Sequence, residues 1–157
     1  MSQLSNFTYD EISIGQTAEY SKTLTEQDIV MFAASSGDTN PVHLDEAFAA
    51  STPFQGRIAH GMWTGGLISA AIALHLPGPG SIYLGQTLSF RKPVMLGDSI
   101  TVTLTVTDKQ DKRRTVVLQC IARNQHNKIV AQGEATVMAP EAKLNIPKPV
   151  LPSITIG

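Results

Sequence analysis

The sequence predicts an α+β domain in which an antiparallel sheet wraps around one long central helix, and two observations carry that reading. The first is the run at 58–76, IAHGMWTGGLISAAIALHL, within a stretch from Ile58 to Phe90 that holds no Asp, Glu, Lys or Arg. A helix apolar on every side must be surrounded by lipid or by protein. The second is the switch after this run to strict alternation, as in SITVTLTVT at 99–107, the mark of a half-buried strand. The run is rich in Gly and Ala and leads into several such strands, so a sheet rather than a bilayer is expected to cover it. At 157 residues, 42% hydrophobic and 16% charged, the chain suits one globular domain with a full-sized core.

Taken in order, residues 1–6 read as a loose terminus, and 15–24 as a short strand favoured by Thr17, Tyr20 and Thr23. Thr25 with Asp28 three residues on makes a helix start of the capping-box kind. Ile29, Val30, Phe32 and Ala33 supply that helix's apolar stripe, and Gly37 suits a left-handed stop. Residues 38–43, DTNPVH, read as a loop stiffened by Pro41. A short helix at 45–50 leads into the central run, which Pro77-Gly78-Pro79-Gly80 must end. Strands are expected at 81–90, 99–107, 115–124 and 129–138, with inward positions such as Ile82, Leu84, Leu88 and Phe90 in the first. The folded domain is thus expected over 1–138, and 139–157, with four prolines and no period, as a tail or linker.

Charge and cysteine content narrow the function. A net charge of −1 gives no electrostatic case for nucleic acid or an anionic membrane surface. The start of the chain has no basic segment followed by an apolar one, so no secretory signal is visible. The lone Cys120, set among apolar alternation partners, reads as a buried structural thiol. A cytoplasmic setting is the expectation.

Two places could carry chemistry. Asp38 stands five residues before His43 across the proline-stiffened loop, and an acid and an imidazole so held can orient one water and pass its proton. Residues of these types also cap turns and helices in loops, so spacing leaves both readings open. The second place is Gly61, after His60, where the central helix begins: a first-turn N–H has no partner within the helix, and glycine admits close approach of a ligand. A carbonyl oxygen there would meet an unsatisfied donor and the positive end of the helix dipole. Gly61, Gly65 and Gly66 could equally serve close packing of helix on sheet. Asp38, His43 and His60 match no common helical metal motif, so no metal is expected.

The segments GDTNPVH, AHGM and SIYLGQTLSFRKPVMLGD resemble the MaoC-like family of (R)-specific enoyl-CoA hydratases, or hydratase 2, and the likeness runs from about Thr17 to Met138. The resemblance implies a hot-dog fold, a sheet around a long helix, and hydration of trans-2-enoyl-CoA to (R)-3-hydroxyacyl-CoA. It implies no cofactor, the CoA being part of the substrate. The catalytic pair falls on Asp38 and His43, and sequence leaves open which of the two is the base. The backbone oxyanion donor falls on Gly61, Asn40 occupies the signature's Asn, and Ser69 matches a pocket serine of some relatives. A homodimer or higher homo-oligomer is implied as well.

Rival readings are a dehydratase acting on acyl-carrier-protein thioesters, a thioesterase, and an acyl-binding module without catalysis. The chain, through LTEQDI and GMWTGGLIS, is also similar to the amino-terminal domain of bifunctional enoyl-CoA hydratase/phosphate acetyl- or butyryltransferases. On that likeness residues 139–157 would begin a linker to a fused acyltransferase.

Overall fold

Alternation decides the sheet. In the computed structural model, which describes residues 2–156, strand β5 (Ser99–Gln110) turns Ile100, Val102, Leu104 and Val106 wholly inward. It pairs antiparallel with β2 (Thr17–Thr23) on one side and β6 (Thr115–Arg123) on the other. β6 in turn pairs with β7 (Ile129–Met138), giving the order β2-β5-β6-β7-β3, with β3 at Ile82–Gln86 and the short β4 (Ser89–Phe90) also on β7. Cys120 on β6 is fully buried, and that burial pushes its thiol up to about 11. The thiol is therefore a core filler and not a nucleophile near neutral pH.

The central helix lies against this sheet, on β2, β5 and β6. It is α4 (Gly61–Leu74), three residues shorter at its start than the apolar run, because Ile58 forms a β-bridge to Met95 and the Ala59 N–H donates to the Val94 carbonyl. Trp63, Leu67, Ile68, Ala71 and Ile72 pack into the core. Enclosure is incomplete, contrary to expectation: Met62, Gly66 and Ala73 stay exposed, since the sheet curls past one side of the helix only.

The first helix behaves as its sequence reads. In α1 (Glu26–Ser36) the Thr25 hydroxyl accepts from the Asp28 N–H at 3.2 Å, and the Asp28 carboxylate accepts from the Thr25 N–H at 3.0 Å. Gly37 closes it with φ +82°. The loop expected at 38–43 instead contains a single turn, α2 (Pro41–Leu44), capped by the Asn40 side chain with Pro41 at the first helical position. Helix α3 (Glu46–Ala50) follows, capped by Asp45.

Two further departures concern edges. The strand expected at 81–90 breaks into β3 and β4, and Ile82, Tyr83, Leu84 and Phe90 are all at least 40% exposed. The break lies over Gly133 of β7, where an added Cβ would sit 1.9 Å from the Thr87 carbonyl oxygen. The chain ends also differ from a loose terminus and an unstructured tail: β1 (Gln3–Ser5) pairs with β8 (Asn145–Pro147). Buried Asn6 fastens them, its amide donating to the Pro79 and Ala142 carbonyls at 3.0 and 2.9 Å and its oxygen accepting from the Leu144 N–H at 2.9 Å.

Candidate active site

Local structure brings Asp38 and His43 together. Gly37 reverses the chain at the end of α1, and the Asp38 carboxylate then accepts from the Asn40 N–H at 3.1 Å, a tight turn that leaves its other oxygen free. The cap and proline that start α2 place His43 one turn later. The His43 ring nitrogen Nδ1 lies 2.8 Å from the Ile58 carbonyl. A carbonyl only accepts, so Nδ1 carries the hydrogen and Nε2 presents a lone pair. That Nε2 faces the Asp38 carboxylate at 3.9 Å. The imidazole is buried, whereas the carboxylate is half exposed. Arg57 steadies α2 from behind: its Nε donates to the His43 carbonyl at 2.6 Å and its Nη1 meets Glu26 of α1 at 2.5 Å.

His60 and Gly61 form the opposite wall. His60 precedes α4, is only 3% exposed, and stacks on the His43 ring with centroids 3.7 Å apart. No described residue accepts a hydrogen bond from the Gly61 N–H, and the His60 side chain does not cap the helix. The glycine lies at the junction of two cavities. One, of about 400 Å³, is lined by Phe32, Ser36, Asp38 and Met62 as well as His60 and Phe90. The other, of about 260 Å³, runs between Phe54, Thr64 and the segment holding Arg91 and Lys92. Phe90 borders both and rests against Gly61, where an added Cβ would meet its ring at 3.1 Å.

Of the residues singled out from sequence, Asp38 and Gly61 line one cavity, and His43, which lines neither cavity, joins them through its Nε2, 3.9 Å from the Asp38 carboxylate. Asn40 stays beside them, but its side-chain oxygen is committed to capping α2, accepting from the Val42 N–H at 3.2 Å. Ser69 lies two turns further along α4 and lines neither cavity that meets at Gly61. Donor atoms of Asp38, His43 and His60 fall within 4.8 Å of one another. The two imidazoles stack, however, with 23° between their planes. Their in-plane lone pairs therefore run side by side and do not converge on one ion. Sequence reasoning gave Arg57, Phe32 and Phe90 no place here; each belongs to the site through a fold contact between distant segments. Among the described residues no helix is long and apolar enough to cross a membrane.

Over residues 10–128 the chain matches the family described as the MaoC like domain. The chain belongs to the MaoC-like family. This MaoC-like chain is 46% identical over 132 residues to the (R)-specific enoyl-CoA hydratase of Rhodospirillum rubrum, spanning 84% of this chain and 91% of that protein. It is 44% identical over 133 residues to the 3-hydroxybutyryl-CoA dehydratase of Methylorubrum extorquens, spanning 85% and 84%. Among solved structures, the unliganded R-hydratase PhaJ1 of Pseudomonas aeruginosa superposes with a TM-score of 0.95 at 54% identity, covering 99% of this chain and 100% of that one. The MaoC-like architecture is the hot-dog fold expected from sequence.

Proposed function

We propose that the protein is an (R)-specific enoyl-CoA hydratase that adds water across the double bond of trans-2-enoyl-CoA to give (R)-3-hydroxyacyl-CoA. The observation that carries this reading is that Asp38, faced by His43 at 3.9 Å, lines the same cavity as Gly61, whose N–H has no described partner. Relatives named for enoyl-CoA hydration and for 3-hydroxybutyryl-CoA dehydration support the two directions of one equilibrium. A free Asp38 oxygen and the bare His43 Nε2 are both acceptors, so a water between them gives each an O–H and keeps a lone pair for attack. Gly61 N–H, at the positive end of α4, receives the thioester oxygen and stabilises the enolate that forms as the β-carbon is attacked. Asp38 takes the proton leaving the water, and the pair returns one through His43 to the α-carbon on the same face. One O–H and the C=C π bond are broken, a C–O and a C–H are made, and no redox partner is needed.

Self-association fits the same picture. The edge formed by β3 and β4 exposes Ile82, Tyr83, Leu84 and Phe90, and an apolar edge of that kind needs a cover. A second copy on this edge would lie beside Phe90 and so beside the cavities.

The test is turnover of crotonyl-CoA, followed by loss of conjugated-thioester absorbance and by chiral analysis of the product. Asp38→Asn and His43→Ala should each lower kcat by about 100-fold or more. Near-wild-type rates in both variants would end the catalytic assignment, and release of free CoA in place of hydration would identify a thioesterase.

A further inference from the structure

His60 does more than fill space, and nothing in its packing alone requires an imidazole. One face of its ring lies on His43, and Phe32 leans on it with centroids 4.7 Å apart. A phenylalanine would fill such a slot. The ring's Nε2 lies 2.8 Å from the Asp38 carbonyl oxygen, so Nε2 carries the hydrogen and Nδ1 is a bare acceptor. That Nδ1 is buried and has no partner among the described residues. An unpaired buried acceptor is unfavourable, so the nitrogen that is bonded must repay it.

The bond is well placed to do so. Asp38 is otherwise held by contacts within five residues: its N–H to the Ser36 hydroxyl at 3.1 Å, its carboxylate to the Asn40 N–H, and the same carboxylate 3.9 Å from His43 Nε2. His60 supplies the long-range contact of that turn, and His60 is the residue immediately before Gly61. We propose that His60 is a positioning residue that ties the water-holding pair to the oxyanion donor, through its Nε2–H on the Asp38 carbonyl and its ring against His43. One side chain thereby sets the distance between the attacking oxygen and the polarised carbonyl. Misplacing reacting groups by about 1 Å can lower rates by about 100-fold.

The inference rests on the hydration reading, and two variants separate its parts. His60→Phe keeps a ring on His43 and loses the donor; His60→Gln places an amide N–H at a similar reach. With crotonyl-CoA, His60→Phe should lower kcat about 10- to 100-fold while KM stays near its wild-type value. His60→Gln should recover most of that loss. A second readout needs no substrate: hydrogen exchange of the amides at 38–42 should speed up in His60→Phe and return toward wild type in His60→Gln. Wild-type kcat in His60→Phe, or a His60→Gln variant no better than His60→Phe at equal Tm, would overturn the proposal. Should His60→Phe not fold, a folded His60→Gln with near-wild-type kcat supports it and one with 10-fold lower kcat overturns it. A wild-type protein that hydrates no enoyl-CoA would instead sink the hydration reading, and unchanged exchange in His60→Phe would then sink this one.

Discussion

Two helices of this domain begin in opposite ways. At the start of α1 the Thr25 and Asp28 side chains bond reciprocally to each other's backbone N–H. At the start of α4 the residue before the helix turns its side chain away to Asp38, and the Gly61 N–H meets no described partner. The far end of α4 is closed again, with the His75 and Leu76 N–H groups on the Ala71 carbonyl and the Gly78 N–H on the Ile72 carbonyl. Side chains thus cap the start of α1, whereas the start of α4 leaves the Gly61 N–H open where two cavities meet.

The contrast can be broken most sharply at Gly61. Gly61→Pro removes the N–H while placing proline at the first helical position, where it is well tolerated. His60, with φ −57° and ψ 136°, already has the extended conformation that a residue before proline prefers. The Phe90 ring that a new side chain would touch is half exposed and free to shift. Turnover of crotonyl-CoA should fall about 100- to 1000-fold, while thermal melting changes little. A Gly61→Pro enzyme at wild-type rate would show that the open amide does no catalysis.

Gly133 offers the matching case of a glycine kept for packing. Its neighbour is not a movable ring but the Thr87 carbonyl, 1.9 Å from an added Cβ. Gly133→Ala should therefore displace the β3–β4 edge and destabilise the domain by about 1–3 kcal/mol, read by denaturant unfolding. The smallest effect belongs to α1: Thr25→Ala should cost about 1 kcal/mol of stability and leave kcat unchanged. A drop in kcat with intact stability would mean that α1 takes part in the chemistry after all.

What the sequence made legible follows the range of the interactions involved. Strands β5, over 99–106, and β6 alternate cleanly because one face of each is core, and the Thr25–Asp28 cap is a contact within one turn. Asp38 and His43 could be paired on paper because a single rigid turn joins them. The turn α2 was read as loop although Asn40 and Pro41 are start signals, since four residues give no period. The β3–β4 edge misled for a different reason: its alternation is real, but the inward face expected for Ile82 and Leu84 is open in one copy. The His60 bond to Asp38 and the Arg57 brace on His43 and Glu26 join residues 14 to 31 positions apart, and no local pattern announces them. Ser69, carried in by resemblance, sits on the expected helix but away from the cavities at Gly61.

The clasp at Asn6 has a temporal consequence. Its partners Ala142 and Leu144 lie 136 and 138 positions further on, and β1 has no strand to join until residues 145–147 exist. During synthesis Asn6 can meet Pro79 early, but β1 must stay unpaired until residues 145–147 have emerged. The complete clasp can therefore close only after every strand of the main sheet has been made.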